Sequence, residues 1–386
     1  MDKKNKNPNV PNLRFPYKGD WYKRKLNEIC LFFKGNGLSK SDLSNEGFPC
    51  ILYGELYTTY KNEVISDIVS KTTTTLSNPF LSKNNDLIIP GSGEDPIDIA
   101  VARAIYQNDI ILGGDLNVLR PKSNVSAAFL SYQLNGVRRY DIAKKAQGKS
   151  IVHLHNSDLK EICVSIPTYD EQLHIVKLLT KIDEMIETQI KIIDTLLSEM
   201  NSIRSLIFNK SSLKWIPLKD IVAEQDIKLK RGKVIPKHKK NLKYIYPVYS
   251  SSITNSGLMG YSDSYMFNQE LITWSIDGGG NFFYRKKHKF NITNVSGYMI
   301  LNENLFNYQF IVQSLIWQHE KLKFDYQTKA HPSVVESLYK IPIMDLEEQH
   351  KYACLFSNLN EKYELELHIL DLLNMQKKYL LKNMFV

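Results

Sequence analysis

Asn78-Pro79-Phe80 and the run Asp86-Leu87-Ile88-Ile89-Pro90-Gly91-Ser92-Gly93 are the stretches whose spacing comes nearest to bond-making chemistry. The first approaches the tetrapeptide with which amino-methyltransferases hold an exocyclic amine, and the second could be a strand running into a loop for phosphate or S-adenosylmethionine. The tetrapeptide lacks its second proline, however, and about a dozen residues between the two are too few to build an α/β cofactor domain. No G-x-x-x-x-G-K-[ST] occurs, so the phosphate-cradling loop of ATP hydrolysis is missing. His153 and His155 alternate on one strand-like face with no Cys, His or carboxylate cluster to join them, and read as satisfied histidines rather than metal ligands. No carboxylate pair with a following lysine marks a nuclease metal site. Cys30, Cys50, Cys163 and Cys354 lie far apart without a C-x-x-C, which speaks for reduced, mostly buried thiols. No catalytic residue and no metal ligand is assigned to this chain.

Binding chemistry is better represented. The formal net charge is +9 and the pI is near 9.0; each phosphate neutralised by Lys or Arg releases condensed counterions, so this balance favours a polyanionic partner. The segment from Ile227 to Lys243 carries Lys228, Lys230, Arg231, Lys233, Lys237, Lys239, Lys240 and Lys243 with no acidic residue. Phosphate contact is a natural use for it, and a solvated loop is the competing reading. Between Asn281 and Lys289, Phe282, Phe283 and Tyr284 interleave with Arg285, Lys286 and Lys287; the rings read as packing a strand rather than stacking on bases. Base edges are read by polar side chains on loops that reach the major groove. Candidates in the first half are Ser92, Glu94, Gln147, Lys149 and Ser150. In the second they are Ser250, Ser251, Asn255, Asp277, Asn281 and Lys329, with Arg231, Lys233 and Arg285 as further DNA-binding candidates. The competing reading of each is a turn residue chosen for backbone geometry.

Loops of this kind need a frame, and the frame is written twice. Asp170-Glu171-Gln172 precedes a helical pattern running to Phe208, and Glu347-Glu348-Gln349 precedes another running to Phe385; Glu171 and Glu348, like Phe208 and Phe385, are 177 positions apart. Spacings of four and three place Ile175, Leu179, Ile182, Ile186, Gln189, Ile193, Leu196, Met200, Ile203 and Ile207 on one helical stripe. The same offset gives Tyr352, Phe356, Leu359, Tyr363, Glu366, Leu370, Leu373, Lys377, Leu380 and Met384, with the polar interruption at Gln189 repeated as Glu366. Such a seam is what another long helix can bury, so the two are expected to pack together. At about 1.5 Å per residue each helix would measure roughly 57 Å, longer than the ~34 Å turn of B-DNA.

The regions before the helices correspond as well, with offsets that drift as loops change length. Phe48-Pro49-Cys50-Ile51 matches Tyr246-Pro247-Val248-Tyr249, and Asp86-Leu87-Ile88-Ile89 matches Glu270-Leu271-Ile272-Thr273, both strand-like. The latter pair ends in glycine turns, Gly91-Ser92-Gly93 and Asp277-Gly278-Gly279-Gly280. Phe129-Leu130-Ser131-Tyr132-Gln133-Leu134 matches Phe310-Ile311-Val312-Gln313-Ser314-Leu315, and both read as helix. The expected class is α+β: two similar mixed α/β domains separated by two long antiparallel coiled-coil helices in a pseudo-two-fold internal repeat. The expected boundaries are an N-terminal arm at 1–20, a first domain at 21–168, a helix at 169–210, a second domain at 211–345 and a helix at 346–386. A start without an apolar core, and the absence of any run of about eighteen apolar residues, point to a cytoplasmic chain with no membrane partner.

Val10-Pro11-Asn12-Leu13-Arg14-Phe15, followed by Trp21-x-x-x-x-Leu26-x-x-Ile29, resembles the N-terminal signature of Type I restriction-modification specificity subunits. The two Glu-Gln-headed helices closing in Ile207-Phe208 and Met384-Phe385 are similar to that family's repeated helical regions, and Trp215-x-x-Leu218-x-x-Ile221 restarts the pattern. The likeness extends over residues 10–386. One departure is that the proline four residues before Glu171, Pro167, has Met344 as its counterpart, with Pro342 two residues earlier.

The resemblance implies a non-catalytic subunit whose two target-recognition domains each read half of a bipartite, asymmetric double-stranded DNA target. Its helices would set the spacing and dock two methyltransferase subunits, with two restriction subunits joining the complex. S-adenosylmethionine, ATP and Mg would belong to those partners, and no cofactor to this chain. The competing readings are a specificity subunit of another multisubunit restriction-modification type, a stand-alone DNA methyltransferase or nuclease, and a generic oligomerisation rod.

Overall fold

The structure is a computed structural model that describes residues 9–252, 254–277, 279–322 and 329–386; the first eight residues of the expected arm, and Gly278 of the second glycine turn, lie outside the described residues. The chain divides into two compact units. One comprises the residues up to Ile190 together with Ile369–Val386, and the other is Lys191–His368. Among the described residues no helix is long and apolar enough to cross a membrane.

In the first unit a five-stranded sheet has the order Cys30–Lys34, Leu116–Pro121, Asp86–Pro90, Arg103–Ile105, Val64–Ile65. The Asp86–Pro90 strand is buried throughout: Leu87 and Ile89 enter the core shared with helix Ala127–Asn135, while Ile88 enters a second cluster on the other face with Ile105 and Val118. A strand covered on both faces needs a continuous apolar run, which is what this sequence supplies. Phe48–Ile51 pairs in parallel with Ile111–Leu112 and antiparallel with Ser70–Thr72 in a smaller sheet.

The second unit has a six-stranded sheet in the order Ile227–Arg231, Ser296–Leu301, Phe267–Ser275, Phe282–Ile292, Tyr246–Tyr249, Leu258–Ser262, and its core takes in helix Tyr308–His319. Phe282–Ile292 is a strand, as the interleaved aromatics suggested, with Phe282 packed on Tyr339 and Trp274. Gly297 is required where it stands, since an added Cβ would lie 2.1 Å from the Trp274 indole.

The two copies share a frame in detail. A short strand opens each globular region and pairs antiparallel with the strand that leads into a long helix: Tyr22–Lys25 with Cys163–Ile166, and Lys214–Pro217 with Lys340–Ile343. The long helices run unbroken over Tyr169–Phe208 and Leu346–Asn383, 40 and 38 residues. The second stops short of the expected Phe385; Met384 N still donates to Leu380 O, and Phe385 turns into the core. Their first residues are 177 positions apart, so exchanging proline for Met344 leaves the helix start unmoved.

Within each unit the start of one long helix lies antiparallel to the end of the other. In the first unit Ile175, Leu179 and Ile182 share a core with Leu380 and Met384, and Asp183 meets Lys377. In the second, Ile207 and Phe208 share a core with Ala353 and Phe356, and Lys210 Nζ donates to Tyr352 Oη at 3.1 Å. The predicted seam is the buried stripe: Ile175, Leu179, Ile182, Gln189, Ile193, Leu196, Met200 and Ile207 are buried on the first helix, and Phe356, Leu373, Leu380 and Met384 on the second. Each unit therefore contains the closing phenylalanine of the helix that ends in it. Phe385 packs on Phe129 and Trp21 with ring centroids 5.3 and 6.3 Å apart, and Phe208 packs on Phe310 and Trp215 at 5.5 and 6.1 Å. The expectation of mostly buried cysteines holds for Cys30 and Cys50 only; Cys163 and Cys354 are exposed. Burial pushes the Cys30 thiol up to about 12 and that of Cys50 up to about 11.

Candidate nucleic-acid interface

Each long helix starts from an anchored end. Gln172, fully buried, accepts from Ser126 N at 2.9 Å and donates to Asn124 O and Pro167 O, each at 3.1 Å. Gln349 accepts from Asn307 N at 2.9 Å and donates to Leu305 O and Met344 O, each at 2.9 Å. Ser126 and Asn307 are the N-caps of the two equivalent core helices, so one amide at each site ties a cap, a loop and the residue two positions before a long helix. Met344 offers the same carbonyl that Pro167 does, which is why the side-chain difference costs nothing here.

In the first unit the candidates are brought together by a narrow hairpin. Gln147 and His153 exchange backbone hydrogen bonds of 2.9 and 2.7 Å, and the turn between them holds Lys149 and Ser150, both exposed. Gly148 has φ +140°, and an added Cβ would lie 2.0 Å from Ile151 O, so the turn requires glycine. The returning strand pairs with Ser92–Gly93, setting His153 beside Ser92. Ser92 is buried and donates to Asp115 Oδ2 at 3.1 Å, whereas Glu94 next to it is exposed. His153 and His155 are exposed and their rings stack at 6.1 Å, and no group of three His, Cys, Asp or Glu suited to a metal ion occurs among the described residues. Ile151, 57% exposed beside Lys149 and Ser150, is a surface residue that charge and polarity did not single out; its signal was an apolar residue inside a turn.

In the second unit contacts link the candidates into one cluster of loops. The Arg231 guanidinium donates to Asn294 O at 3.1 and 2.8 Å, Lys233 N donates to Ile292 O, and Thr293 Oγ1 donates to Ser250 Oγ at 2.8 Å. Ser275 Oγ donates to Ser251 O at 2.9 Å, and Ser275 N donates to Asn281 O at 3.2 Å. Asp277 and Lys329 form an exposed ion pair at 3.3 Å. Arg231, Lys233, Asn255, Asp277 and Lys329 are exposed, Ser251 and Asn281 are half-buried, and Ser250 and Arg285 are buried. Thr293 and Asn294, in a tight turn between two strands, join this cluster without having been expected there.

The basic segment folds along the edge strand Leu258–Ser262. His238 exchanges backbone hydrogen bonds with Tyr261 and stacks on Tyr244 at 3.9 Å, Lys240 lies over the Tyr261 ring, and Lys243 pairs with Asp263 at 3.8 Å. Lys237, Lys239 and Lys240 remain exposed beside Asn255 along a shallow groove. Exposed cations beside hydroxyl and amide groups on anchored loops suit phosphates and base edges.

A family model described as the Type I restriction modification DNA specificity domain matches this chain twice, over residues 18–197 and 214–375. A type I specificity subunit of Mycoplasma pneumoniae, S.MpnORF285P, is 33% identical over 132 residues, covering 31% of this chain and 41% of that protein. A second, S.MpnORF507P of the same organism, is 28% identical over 170 residues, covering 43% of this chain and 45% of the relative. These alignments thus span less than half the length of the curated relatives. The crystal structure of the Type-I restriction-modification system S subunit from M. genitalium shares the fold with a TM-score of 0.69 at 20% identity, covering 98% of this chain and 99% of that one. A chain from a structural study of complex assembly and conformational transition in the type I R-M system superposes with a TM-score of 0.55 at 12% identity, covering 95% and 98%. With both halves matched by one model, the chain belongs to the Type I restriction-modification DNA specificity family.

Proposed function

We propose that this chain reads a two-part, asymmetric DNA sequence for separate catalytic subunits, each unit taking one half. The observation that carries this is a conserved geometry with divergent loops inside one polypeptide. Gln172 and Gln349 make the same three hydrogen bonds, while the loops on either frame differ in length, charge and residue type. Two equal frames bearing unequal readers suit a target whose halves differ. Lys149 and Ser150, with Ser92 and Glu94 beside them, belong to the first half-site; Ser250, Ser251, Asn255, Asp277, Asn281 and Lys329 belong to the second, with Arg231 and Lys233 for the backbone.

The paired long helices set the distance between half-sites and dock two methyltransferase subunits. Exposed Met185, Leu206, Leu365 and Met375 on their outer faces are apolar groups suited to such docking. Two restriction subunits complete the assembly. Adenine methylation with S-adenosylmethionine, and ATP- and Mg-dependent cleavage, reside in those partners, and this chain supplies no catalytic group.

The test is to combine the purified chain with its cognate methyltransferase subunit and sequence the methylated sites. A single two-part motif with a fixed gap is the expected result. Methylation without a defined two-part motif refutes the proposal, and binding of labelled S-adenosylmethionine by the isolated chain would move the chemistry into this subunit.

A further inference from the structure

Arg285 is 5% exposed, and no carboxylate among the described residues pairs with it. Its guanidinium lies 3.8 Å from the centroid of the Tyr249 ring and 5.0 Å from that of Phe283. Nε donates to Thr273 Oγ1 at 3.0 Å, and Nη2 donates to Ser256 O at 2.7 Å. A buried cation without a counter-charge is costly to keep. The backbone it holds is costly too: Asn255 has φ 49° and ψ 42°, Ser256 has φ 48° and ψ 31°, and Gly257 follows at φ +80°. Two successive non-glycine residues in the left-handed region are strained, and such strain gathers where geometry serves function.

These two costs meet at one hydrogen bond. Gly257 O also accepts from Ser250 N at 2.8 Å, so the turn is fixed at both sides while the Asn255 side chain stays exposed. A glycine turn over an apolar side chain would avoid both penalties. What the arginine adds is a fixed direction for the turn. Its burial also separates it from Arg231 and Lys233, whose side chains are exposed.

We propose that Arg285 is a positioning residue that presets the left-handed turn Asn255–Ser256–Gly257, so that the Asn255 amide meets the major-groove edge of an adenine in the half-site read by the second unit. An amide carries one donor and one acceptor face, which complement N7 and the 6-amino group of adenine. The inference rests on the DNA reading above and adds to it one base class and the residue that enforces it.

The experiment uses the reconstituted methyltransferase complex on targets with each base pair of both half-sites varied in turn, at several salt concentrations. Read as binding affinity, the unaltered complex prefers one adenine of the second half-site, other than the one that is methylated, by about tenfold. Asn255→Gly, which suits a positive φ, and Arg285→Lys, which keeps the charge but loses the directed fork, should each abolish that preference and no other. Together they should do no more than either alone, with the salt slope unchanged. Should R285K fail to assemble, Thr273→Val removes the Nε acceptor at nearly constant shape and is judged in the same way.

Retained preference in R285K while N255G loses it would overturn the inference. So would a lower salt slope in R285K, the mark of a direct phosphate contact, or a loss spread evenly over the half-site with a lowered Tm. A complex that marks no two-part sequence at all removes the DNA reading itself, a result visible before any variant is made.

Discussion

Lys377 Nζ lies 2.6 Å from Asp183 Oδ1, joining the last turns of the second long helix to the first half of the first. The same ammonium donates to Glu63 Oε2 at 2.6 Å, and Tyr132 Oη donates to Asp183 Oδ2 at 2.7 Å. One ammonium thus faces two buried carboxylates, each at 2.6 Å. Burial raises the Asp183 carboxyl above the usual carboxylate range, with Lys377 opposing and Glu63 adding to the rise. Lys377 itself is raised: burial works against its charge, and the two carboxylates outweigh burial.

Lys377→Met should therefore destabilise the first unit by about 3–5 kcal/mol at neutral pH, because it leaves buried carboxylates without their cation. The loss should shrink on acidification. In the variant the folded carboxyl lies still further above its unfolded value, so the native state binds the proton more tightly and stability rises as pH falls through the folded value. Urea midpoints between about pH 5 and 7.5 check this; a loss that stays constant across that range would contradict it.

Gln172→Ala and Gln349→Ala should be costly to similar extents. Each removes three hydrogen bonds from a buried site and strands a backbone N–H and two carbonyls. At about 1–3 kcal/mol per stranded group, less whatever water recovers, a loss above ~2 kcal/mol is expected at either position. Thermal unfolding of the two variants side by side measures it. A neutral result at one of them would show that the matching geometries are not matching in energy.

The frame was legible in the sequence because it is built from periodic burial. A seam at spacings of three and four can be met only by one helical face, and a 177-residue offset preserved over both seams left little room for another alignment. Aromatic and β-branched runs likewise marked the central strands. The loops were not legible, since what places them is contact between residues far apart in sequence: Thr293 on Ser250, Ser275 on Ser251, Arg285 on Ser256. Lys377 showed only as one position of the second seam, because its partners Glu63 and Asp183 come from elsewhere in the fold. Arg285 read as a surface cation for the same reason, the Tyr249 ring coming from another strand and the Ser256 carbonyl from the turn before Gly257.

Arg14→Lys should weaken the anchoring of the N-terminal arm although charge is kept. The guanidinium of Arg14 makes two parallel bonds to buried Glu171, of 2.6 and 2.7 Å, and Trp21 Nε1 shares that carboxylate at 3.2 Å. A lysine ammonium lacks the planar fork that makes two parallel bonds to one carboxylate, so a loss of about 1–2 kcal/mol and faster proteolysis ahead of Trp21 are expected. Equal proteolytic half-lives for the variant and the unaltered chain would argue that Trp21 and the aromatic cluster hold the arm without the arginine.

Lys149 and Lys329 separate the electrostatic part of DNA binding from its geometry. Both are exposed on loops of the proposed interface, but Lys329 is half-neutralised by Asp277 at 3.3 Å, while Lys149 makes no ion pair among the described residues. Lys149→Ala should weaken target methylation by the assembled complex and lower the slope of log affinity against log salt by about one. Lys329→Ala should lower it by less, because its charge is already partly spent on Asp277. Asp277→Asn should then steepen the slope relative to the unaltered chain by freeing that lysine. Binding isotherms at four or five salt concentrations give all three slopes; identical slopes for the two alanine variants would show that Asp277 does not screen Lys329, and unchanged slopes in both would remove the two lysines from the interface.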